Sequence, residues 1–296
     1  MIKIKVPATS ANLSVGFDCM GMAVNQYAYF TFQNNSKWLT INGCPKKFQN
    51  ENNLVYKAFI KGCRVLKQPV PNVKITIQTE VPVSRGLGSS ATCIVGGLKG
   101  AFEWFHHPIS KQKLTQLAAT MEGHPDNVAP AIYGGVCMAF NNQNDQVHVV
   151  KYPVNSIWKF LAIVPDFKIS TQEARTVLPE QLSYQDATFQ ISHCLLMTHA
   201  IQGKRFSTLK EAMQDQMHEP FRKHLIKGYD QVKTITDQMH GILYISGSGS
   251  TLMLITNNVN DRQKIAKTIQ NQFKKWQVKP ISIDSNGIQS EVDINE

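Results

Sequence analysis

Apolar and polar residues alternate in several short runs of the first third of the chain. These runs lie at residues 2–6, 28–33 and 73–79, and an alternation of period two is typical of strands with one buried face. Between the second and third runs the spacing changes to that of a helix. We predict a helix over 53–66, whose apolar face is formed by Leu54, Val55, Ala58, Phe59, Cys63 and Leu66.

The rest of the chain mixes helical and strand-like patterns. Ser110 is the expected N-cap of a helix at 111–121, and the apolar run 91–98 can form a buried helix. Further helices are predicted near 185–202, 207–217, 228–239 and 260–273. Strands are predicted at 135–140, 158–164, 242–246, 251–255 and 280–284. This mixture favours an α+β sandwich over a regular parallel α/β fold, with domains predicted at 1–154 and 155–296.

Composition excludes several classes of protein. With 42% hydrophobic and 18% charged residues among 296, the chain can build a core and is not a disordered chain. No apolar run reaches the roughly 18 residues of a membrane span, and the N-terminus lacks the core of a signal peptide. The six cysteines are scattered without a CxxC pair, which argues against a zinc site or a disulfide framework. We therefore expect a cytoplasmic protein.

The formal net charge of +10 raises the alternative of an RNA-binding protein. Such a protein needs clustered basic residues and exposed aromatic rings on which bases stack. Here the basic residues are dispersed, and the densest groups are pairs such as Lys46-Lys47 and Lys274-Lys275. A positive surface that attracts anionic nucleotides is the simpler explanation, and we expect no nucleic-acid or membrane partner.

A glycine-rich segment follows the predicted strand 73–79 and precedes the apolar run 91–98. Glycines allow a tight turn and a close approach to a ligand, and the free N–H groups at a helix start favour phosphate binding. The segment lacks the Gly-Lys-Ser/Thr ending of a P-loop. It predicts a phosphoryl-transfer enzyme, whereas a plain Gly/Ser turn before a buried helix remains the alternative. The predicted ATP-binding residues are Pro82, Val83, Ser84, Arg85, Gly86, Leu87, Gly88, Ser89, Ser90, Ala91 and Thr92.

Three other segments concentrate small and polar residues. Residues 7–18 offer an amide and a carboxylate after a strand, although Asn or Asp there can also simply fix a turn. The stretch 122–127 contains Glu122, His124, Asp126 and Asn127, groups that could hold magnesium, orient a hydroxyl or accept its proton. A structural polar loop is the alternative. The third segment, 244–252, could be a plain hairpin or could pack against the phosphate loop.

Together these segments resemble the motifs of the GHMP small-molecule kinases, and most closely those of the homoserine kinases. The similarity covers Pro-Ala-Thr-Ser-Ala-Asn-Leu at 7–13 with Gly-Phe-Asp at 16–18, the phosphate loop 82–91 and the acidic segment 122–130. It extends to two arginine segments at 171–175 and 219–222. The chain departs from the pattern at Ser14-Val15, where Gly-Pro is usual, and at Ser250, where proline is usual.

The resemblance implies two α+β domains: a ribosomal-protein-like β/α N-terminal domain and a ferredoxin-like C-terminal domain. It implies ATP-dependent phosphorylation of L-homoserine to O-phospho-L-homoserine, a step of threonine biosynthesis, with Mg²⁺ as cofactor and a homodimer as a frequent assembly. A GHMP kinase that acts on another small alcohol is the alternative within enzymes.

Residue roles follow from the same resemblance. Ser90 and Glu122 are expected at the metal, although the short spacing between Glu122 and His124 weakens the latter assignment. Asp126 is either a base or, like Asn127, an orienting group, and His124 lines the site. The substrate would contact Asn12, Asp18, Asn127, Thr171, Arg175 and Arg222, since arginine can pair with both oxygens of a carboxylate.

Overall fold

The computed structural model describes residues 1–292 and contains two sheets covered by helices. The strands of the first sheet are β1 (Ile2–Ala11), β2 (Met20–Asn34), β3 (Leu39–Asn42), β4 (Val73–Thr79), β5 (Val136–Asn141), β6 (Val147–Tyr152) and, from the end of the chain, β11 (Gln289–Val292). Their order is β11-β1-β2-β4-β3, and β5 pairs with both β2 and β6. All pairs are antiparallel except β3 with β4.

The second sheet is fully antiparallel and has the order β10-β7-β9-β8. Its strands are β7 (Lys159–Val164), β8 (Ile242–Ile245), β9 (Leu252–Thr256) and β10 (Gln277–Ile281). The chain leaves the first sheet at the end of β6, enters the second sheet with β7 and returns to the first sheet through β11. The α+β class predicted from the sequence is confirmed.

Helices cover the sheets and connect the strands. They are α1 (Leu54–Val65), α2 (Ser89–Trp104), α3 (Lys111–Glu122), α4 (Val128–Tyr133), α5 (Thr171–Thr176), α6 (Tyr184–Ala200), α7 (Phe206–Ala212), α8 (Glu219–Arg222), α9 (Tyr229–Gln238) and α10 (Val259–Gln272). Two short 3₁₀ turns lie at Lys46–Phe48 and Lys223–Leu225. None of the helices between residues 1 and 292 combines the length and apolar character needed to cross a membrane.

Close packing of α2 on the first sheet fixes the position of the phosphate loop. Phe30 and Phe32 of β2 point into the core and are fully buried. Added Cβ atoms at Gly96 and Gly100 would lie 2.3 and 2.4 Å from these two rings, so the glycines let the helix lie directly on the sheet. This contact places the N-terminus of α2, and the loop before it, at one end of the sheet.

Several predicted ends of strands and helices are confirmed, and side-chain hydrogen bonds explain two of them. The strand at 73–79 has the predicted limits. The side chain of Asn53 accepts the N–H of Val55 at 2.9 Å and begins α1, and Ser110 accepts the N–H of Lys113 at 3.2 Å and caps α3. The predictions for β1 and β2 were too short, because residues 6–11 and 20–24 are buried on both faces and do not alternate.

Two other predictions were wrong in their limits. The strand predicted at 280–284 lies at 277–281, because residues 282–284 leave the second sheet: Ser282 accepts the N–H of Asn25, and Asp284 donates its N–H to Ala23. The helix predicted at 207–217 ends at Ala212. Its continuation is prevented by the carboxylate of Asp215, which accepts the N–H groups of Met217, His218 and Glu219 at 2.7–3.1 Å.

Candidate active site

A cavity of about 400 Å³ lies where the phosphate loop, the acidic segment, the first motif and the arginine segments meet. Three of the predicted site residues do not line it. Leu87 and Ala91 are buried in the core, and Pro82 lies outside the cavity wall. The predicted residues that line it are Asn12, Asp18, Val83, Ser84, Arg85, Gly86, Gly88, Ser89, Ser90, Thr92, Glu122, His124, Asp126, Asn127, Thr171, Arg175 and Arg222.

The phosphate loop turns through two glycines in the left-handed region. Gly86 has φ +78° and Gly88 has φ +66°, conformations that are costly for residues with a Cβ atom. The carbonyl of Gly88 accepts the N–H of Thr92 at 2.9 Å and starts α2. The first N–H groups of this 16-residue helix have no intrahelical partner, so the cavity wall contains donors suited to an anion.

The third glycine-rich segment, residues 246–251, packs against this loop as well as joining β8 and β9. The hydroxyl of Ser246 donates to Gly86 O at 2.6 Å, and the N–H of Thr251 donates to Arg85 O at 3.0 Å. Sequence reasoning had offered a hairpin and a packing contact as alternatives, and the segment provides both. The phosphate loop is therefore held by the connection between strands β8 and β9 of the second sheet.

The guanidinium of Arg85 is directed to main-chain carbonyls. It donates to Pro165 O and, at 3.0 Å, to Asp166 O. These contacts tie the loop to the segment that follows β7. The Arg85 side chain thus anchors the phosphate loop and also forms part of the cavity wall.

The two predicted metal residues touch each other. Ser90 lies in the first turn of α2, and its Oγ donates to Oε2 of Glu122, the last residue of α3, at 2.6 Å. Burial raises the pKa of Glu122, whereas the hydrogen bond from Ser90 and the charge of His124 oppose that rise. Hydroxyl and carboxylate oxygens are ligands that Mg²⁺ binds, so Ser90 and Glu122 fit this ion.

A second acidic group lies beside this pair. The ligand atoms of Asp18, His124 and Asp126 lie within 4.8 Å of one another. Nδ1 of His124 is hydrogen bonded to Oδ1 of buried Asp126, and this bond raises the pKa of His124 against the opposing effect of burial. Two carboxylates in one cavity wall make this corner attractive to a cationic group.

Asn127 is oriented by a residue that sequence reasoning did not assign to the site. The hydroxyl of Thr9 donates to Oδ1 of Asn127 at 2.7 Å across 118 residues of chain. The amide oxygen of Asn127 therefore faces Thr9. Its Nδ2 faces Asp126 and lies 3.4 Å from Oδ1 of that carboxylate. Thr9 belongs to the first motif, and that membership was the only sequence signal for its role.

The two predicted arginines converge on one aromatic ring. The guanidinium carbons of Arg175 and Arg222 lie 5.9 and 5.0 Å from the ring centroid of Phe17. Nη2 of Arg175 donates to both carboxylate oxygens of Asp18 at 3.0 and 2.9 Å. Arg222 is buried, and burial lowers its pKa.

Asn12 organises the loop that carries Asp18. Its Oδ1 accepts the N–H of Asp18 at 3.1 Å, and its Nδ2 donates to Gly247 O at 3.1 Å. Both polar atoms thus have protein partners, so this side chain connects the first motif with the third glycine-rich segment.

Part of the cavity wall is apolar, and we call this part the apolar compartment. Its presence was not predicted, because its residues come from separate strands and helices with no common motif. The compartment is formed by Ala28, Phe30, Cys44, Pro45, Phe48, Leu54, Ile77 and Cys93, and the other apolar residues of the cavity wall are Val83 and Ile169. The cavity wall therefore combines apolar residues, the phosphate loop and charged residues.

Comparison with known proteins identifies relatives over nearly the whole chain. Residues 53–135 match the family model described as GHMP kinases N terminal domain. Homoserine kinases from two Clostridium botulinum strains, Eklund 17B and ATCC 19397, are 40% and 38% identical over 291 and 290 residues, with 97% of each chain covered.

A solved structure shows the same architecture. The crystal structure of homoserine kinase from Cytophaga hutchinsonii is 27% identical and superposes with a TM-score of 0.84, covering 98% of this chain and 97% of that one. The chain therefore belongs to the homoserine kinase family of the GHMP kinases.

Proposed function

We propose that this protein transfers the terminal phosphoryl group of ATP to the side-chain hydroxyl of L-homoserine, giving ADP and O-phospho-L-homoserine for threonine biosynthesis. The observation that carries the proposal is the cavity itself. It brings a phosphate loop, the Ser90–Glu122 pair and two arginines beside Asp18 into one space of about 400 Å³. The membership of the family supports both the reaction and the substrate.

We propose one direction for ATP in the cavity. The adenine base would occupy the apolar compartment bounded by Phe30, Leu54 and Ile77, where burial of its rings is favourable. The phosphates would then reach the glycine loop and the free N–H groups of α2. This direction leaves the terminal phosphate facing the charged residues of the cavity wall, where the alcohol must bind.

Mg²⁺ would be held by Glu122 and the Ser90 hydroxyl together with phosphate oxygens and water. The bound ion would neutralise negative charge on the phosphates. The chain's own contribution is the fixed geometry of the two oxygens, which lie 2.6 Å apart in hydrogen-bond contact at adjoining helix ends.

L-Homoserine carries an ammonium, a carboxylate and a hydroxyl, and the cavity wall offers a complement for each. Arg175 and Arg222 provide cations for the carboxylate. The carboxylates of Asp18 and Asp126 attract the ammonium, and the ion pair of Asp18 with Arg175 holds the two subsites together. Thr171 begins α5 and also lines the cavity.

The hydroxyl is oriented by Asn127, and we propose that no side chain acts as a dedicated base. Asp126 is the candidate base, but its Oδ1 already interacts with His124 and with Nδ2 of Asn127. Phosphoryl transfer passes through a loose transition state, which does not require early proton removal. Asp126 therefore serves to hold His124 and Asn127 in place.

A substrate panel tests the function. ADP release should be measured with L-homoserine, L-threonine, mevalonate and galactose at equal concentration, and phosphorus NMR should identify the product. Homoserine should give the largest kcat/KM. A preference for an alcohol without an amino-acid group would contradict the proposed substrate and favour another GHMP kinase activity.

Two further properties are proposed. All six cysteines are free thiols, which supports a reducing compartment such as the cytoplasm.

We also propose a homodimer formed through α6, whose outer side exposes Tyr184, Ile191 and Leu195 by 94, 62 and 67%. This helix contains no Lys or Arg although the chain has a net charge of +10, so two copies can approach there without facing lysines. Sedimentation of wild type and Leu195→Glu tests it: only the wild type should dimerise.

A further inference from the structure

His218 lies behind Arg222 in a position that no known role of the site explains. Its side chain is completely buried, and its ring stacks on Phe17 with centroids 5.2 Å apart. It comes from the turn before α8, four residues ahead of Arg222. The ring therefore touches the same aromatic residue that supports both arginines.

The contacts of the ring fix its tautomer. Nε2 lies 2.8 Å from the main-chain carbonyl of Ser14, and a carbonyl oxygen can only accept, so Nε2 carries a hydrogen. Nδ1 lies 3.5 Å from Nη1 of Arg222, and a guanidinium can only donate. Nδ1 must then present its lone pair, and the ring is neutral.

The charged groups around the ring agree with a neutral imidazole. They are Asp215, Arg222 and Asp18. Burial lowers the pKa of His218, Arg222 lowers it further, and Asp215 opposes both. Asp215 does not depend on a charged histidine, because Gln190 Nε2 and three main-chain N–H groups already donate to its oxygens at 2.7–3.1 Å.

The remaining contacts of Arg222 define which of its donors is left for a ligand. Nε donates to Ala174 O and Nη1 to Gly247 O, each at 3.1 Å. With its second hydrogen facing His218, Nη1 has no free donor. Nη2 has no hydrogen-bond partner anywhere in residues 1–292, so it is the donor that remains for the cavity.

We propose that His218 is a positioning residue for Arg222: its Nδ1 accepts from Nη1 and thereby directs Nη2 of the guanidinium toward the carboxylate of the amino-acid substrate. The proposal rests on the function proposed above, because it assigns that carboxylate to Arg222. It also predicts contact through a single nitrogen of Arg222, where the sequence had suggested that a planar fork meets both oxygens.

A kinetic cycle tests the proposal. His218→Leu removes both polar atoms and should raise the KM for homoserine about tenfold, the effect of losing one hydrogen bond that orients a charged group. The KM for ATP should stay at the wild-type value. His218→Gln can still accept from Arg222 and donate to Ser14 O, so it should recover most of that loss.

The double variant separates positioning from a structural role. If His218 acts through Arg222, adding His218→Leu to Arg222→Ala should raise the KM no further. An additive increase, or an equal rise in both KM values, would overturn the proposal.

A spectroscopic test does not depend on the substrate. Nitrogen-15 NMR of histidine-labelled protein should show His218 as the neutral Nε2–H form at neutral pH, and Arg222→Ala should shift its Nδ1 resonance. An imidazolium, an Nδ1–H tautomer or an unshifted resonance would overturn the inference. If the wild type does not phosphorylate homoserine, the proposed function is wrong, and this spectrum still decides the role of His218.

Discussion

Replacing Gly88 by alanine tests how the phosphate loop and the acidic segment act on each other. An added Cβ would lie 1.9 Å from Oγ1 of Thr9 and 3.0 Å from Oδ1 of Asn127. These two atoms share the 2.7 Å hydrogen bond that orients Asn127. The hydroxyl of Thr9 must therefore turn away, and the bond must break, before the methyl group can be accommodated.

The expected loss of stability has two parts. Left-handed backbone, here φ +66°, costs a residue with a Cβ about 1–2 kcal/mol. The lost hydrogen bond adds about 1 kcal/mol, so the free energy of unfolding should fall by about 2–3 kcal/mol. Gly123 provides the matched control: it has φ +95°, but an added Cβ would meet nothing within 4 Å. Gly123→Ala should cost only the backbone part.

Urea unfolding and steady-state kinetics measure the two effects separately. Gly88→Ala should also lower kcat about tenfold, because an unoriented Asn127 loses about 1.4 kcal/mol of transition-state stabilisation. Thr9→Val removes the hydroxyl without backbone strain and should lower kcat similarly. The reasoning is refuted if both glycine variants lose the same stability, or if Thr9→Val keeps the wild-type kcat.

Three other changes test separate parts of the site and its surroundings. Glu122→Gln should raise the Mg²⁺ concentration needed for half-maximal rate, and unchanged magnesium dependence would make Glu122 structural. Asp126→Asn should lower kcat less than the roughly 10²–10⁴-fold expected for loss of a general base; a loss within that range in stopped-flow assays would identify a base. Burial raises the pKa of Glu219 to about 8, so the native state keeps a proton that the unfolded chain loses. The free energy of unfolding should therefore fall by about 1.4 kcal/mol per pH unit as the pH rises from the ordinary glutamate pKa toward about 8. In urea titrations, Glu219→Gln should remove this dependence on pH.

The parts of the fold that sequence predicted best have one exposed face. Alternation located the strand at 73–79, and side-chain caps located the starts of α1 and α3. Where both faces are buried, as at residues 6–11 of β1, the alternation disappears and the end of the strand cannot be found. The short helices α5 and α8 have too few residues to show a helical period.

The candidate site was predictable to the extent that each segment carries unusual chemistry by itself. The density of small and charged residues at 82–91 and 122–127 marked these segments without any knowledge of their contacts. Thr9 was missed because its role depends on Asn127, which lies 118 residues away. His218 was missed because the contact that fixes its tautomer, with the carbonyl of Ser14, lies 204 residues away, although Arg222 is only four residues along the chain. A local pattern contains no record of such a partner.

Gly247 connects the surroundings of Arg222 with those of the phosphate loop. Its carbonyl accepts from Nδ2 of Asn12 and from Nη1 of Arg222, both at 3.1 Å. Its N–H donates to Ala11 O, while the adjacent Ser246 holds the carbonyl of Gly86 in the phosphate loop. The connection 246–251 between β8 and β9 therefore holds both the phosphate loop and the side chain of Arg222. Because one short connection carries both contacts, we expect a displacement of the phosphate loop to move the anchor of Arg222 as well. In the proposed function, the packing of the two sheets would then set the spacing between the phosphoryl donor and the alcohol.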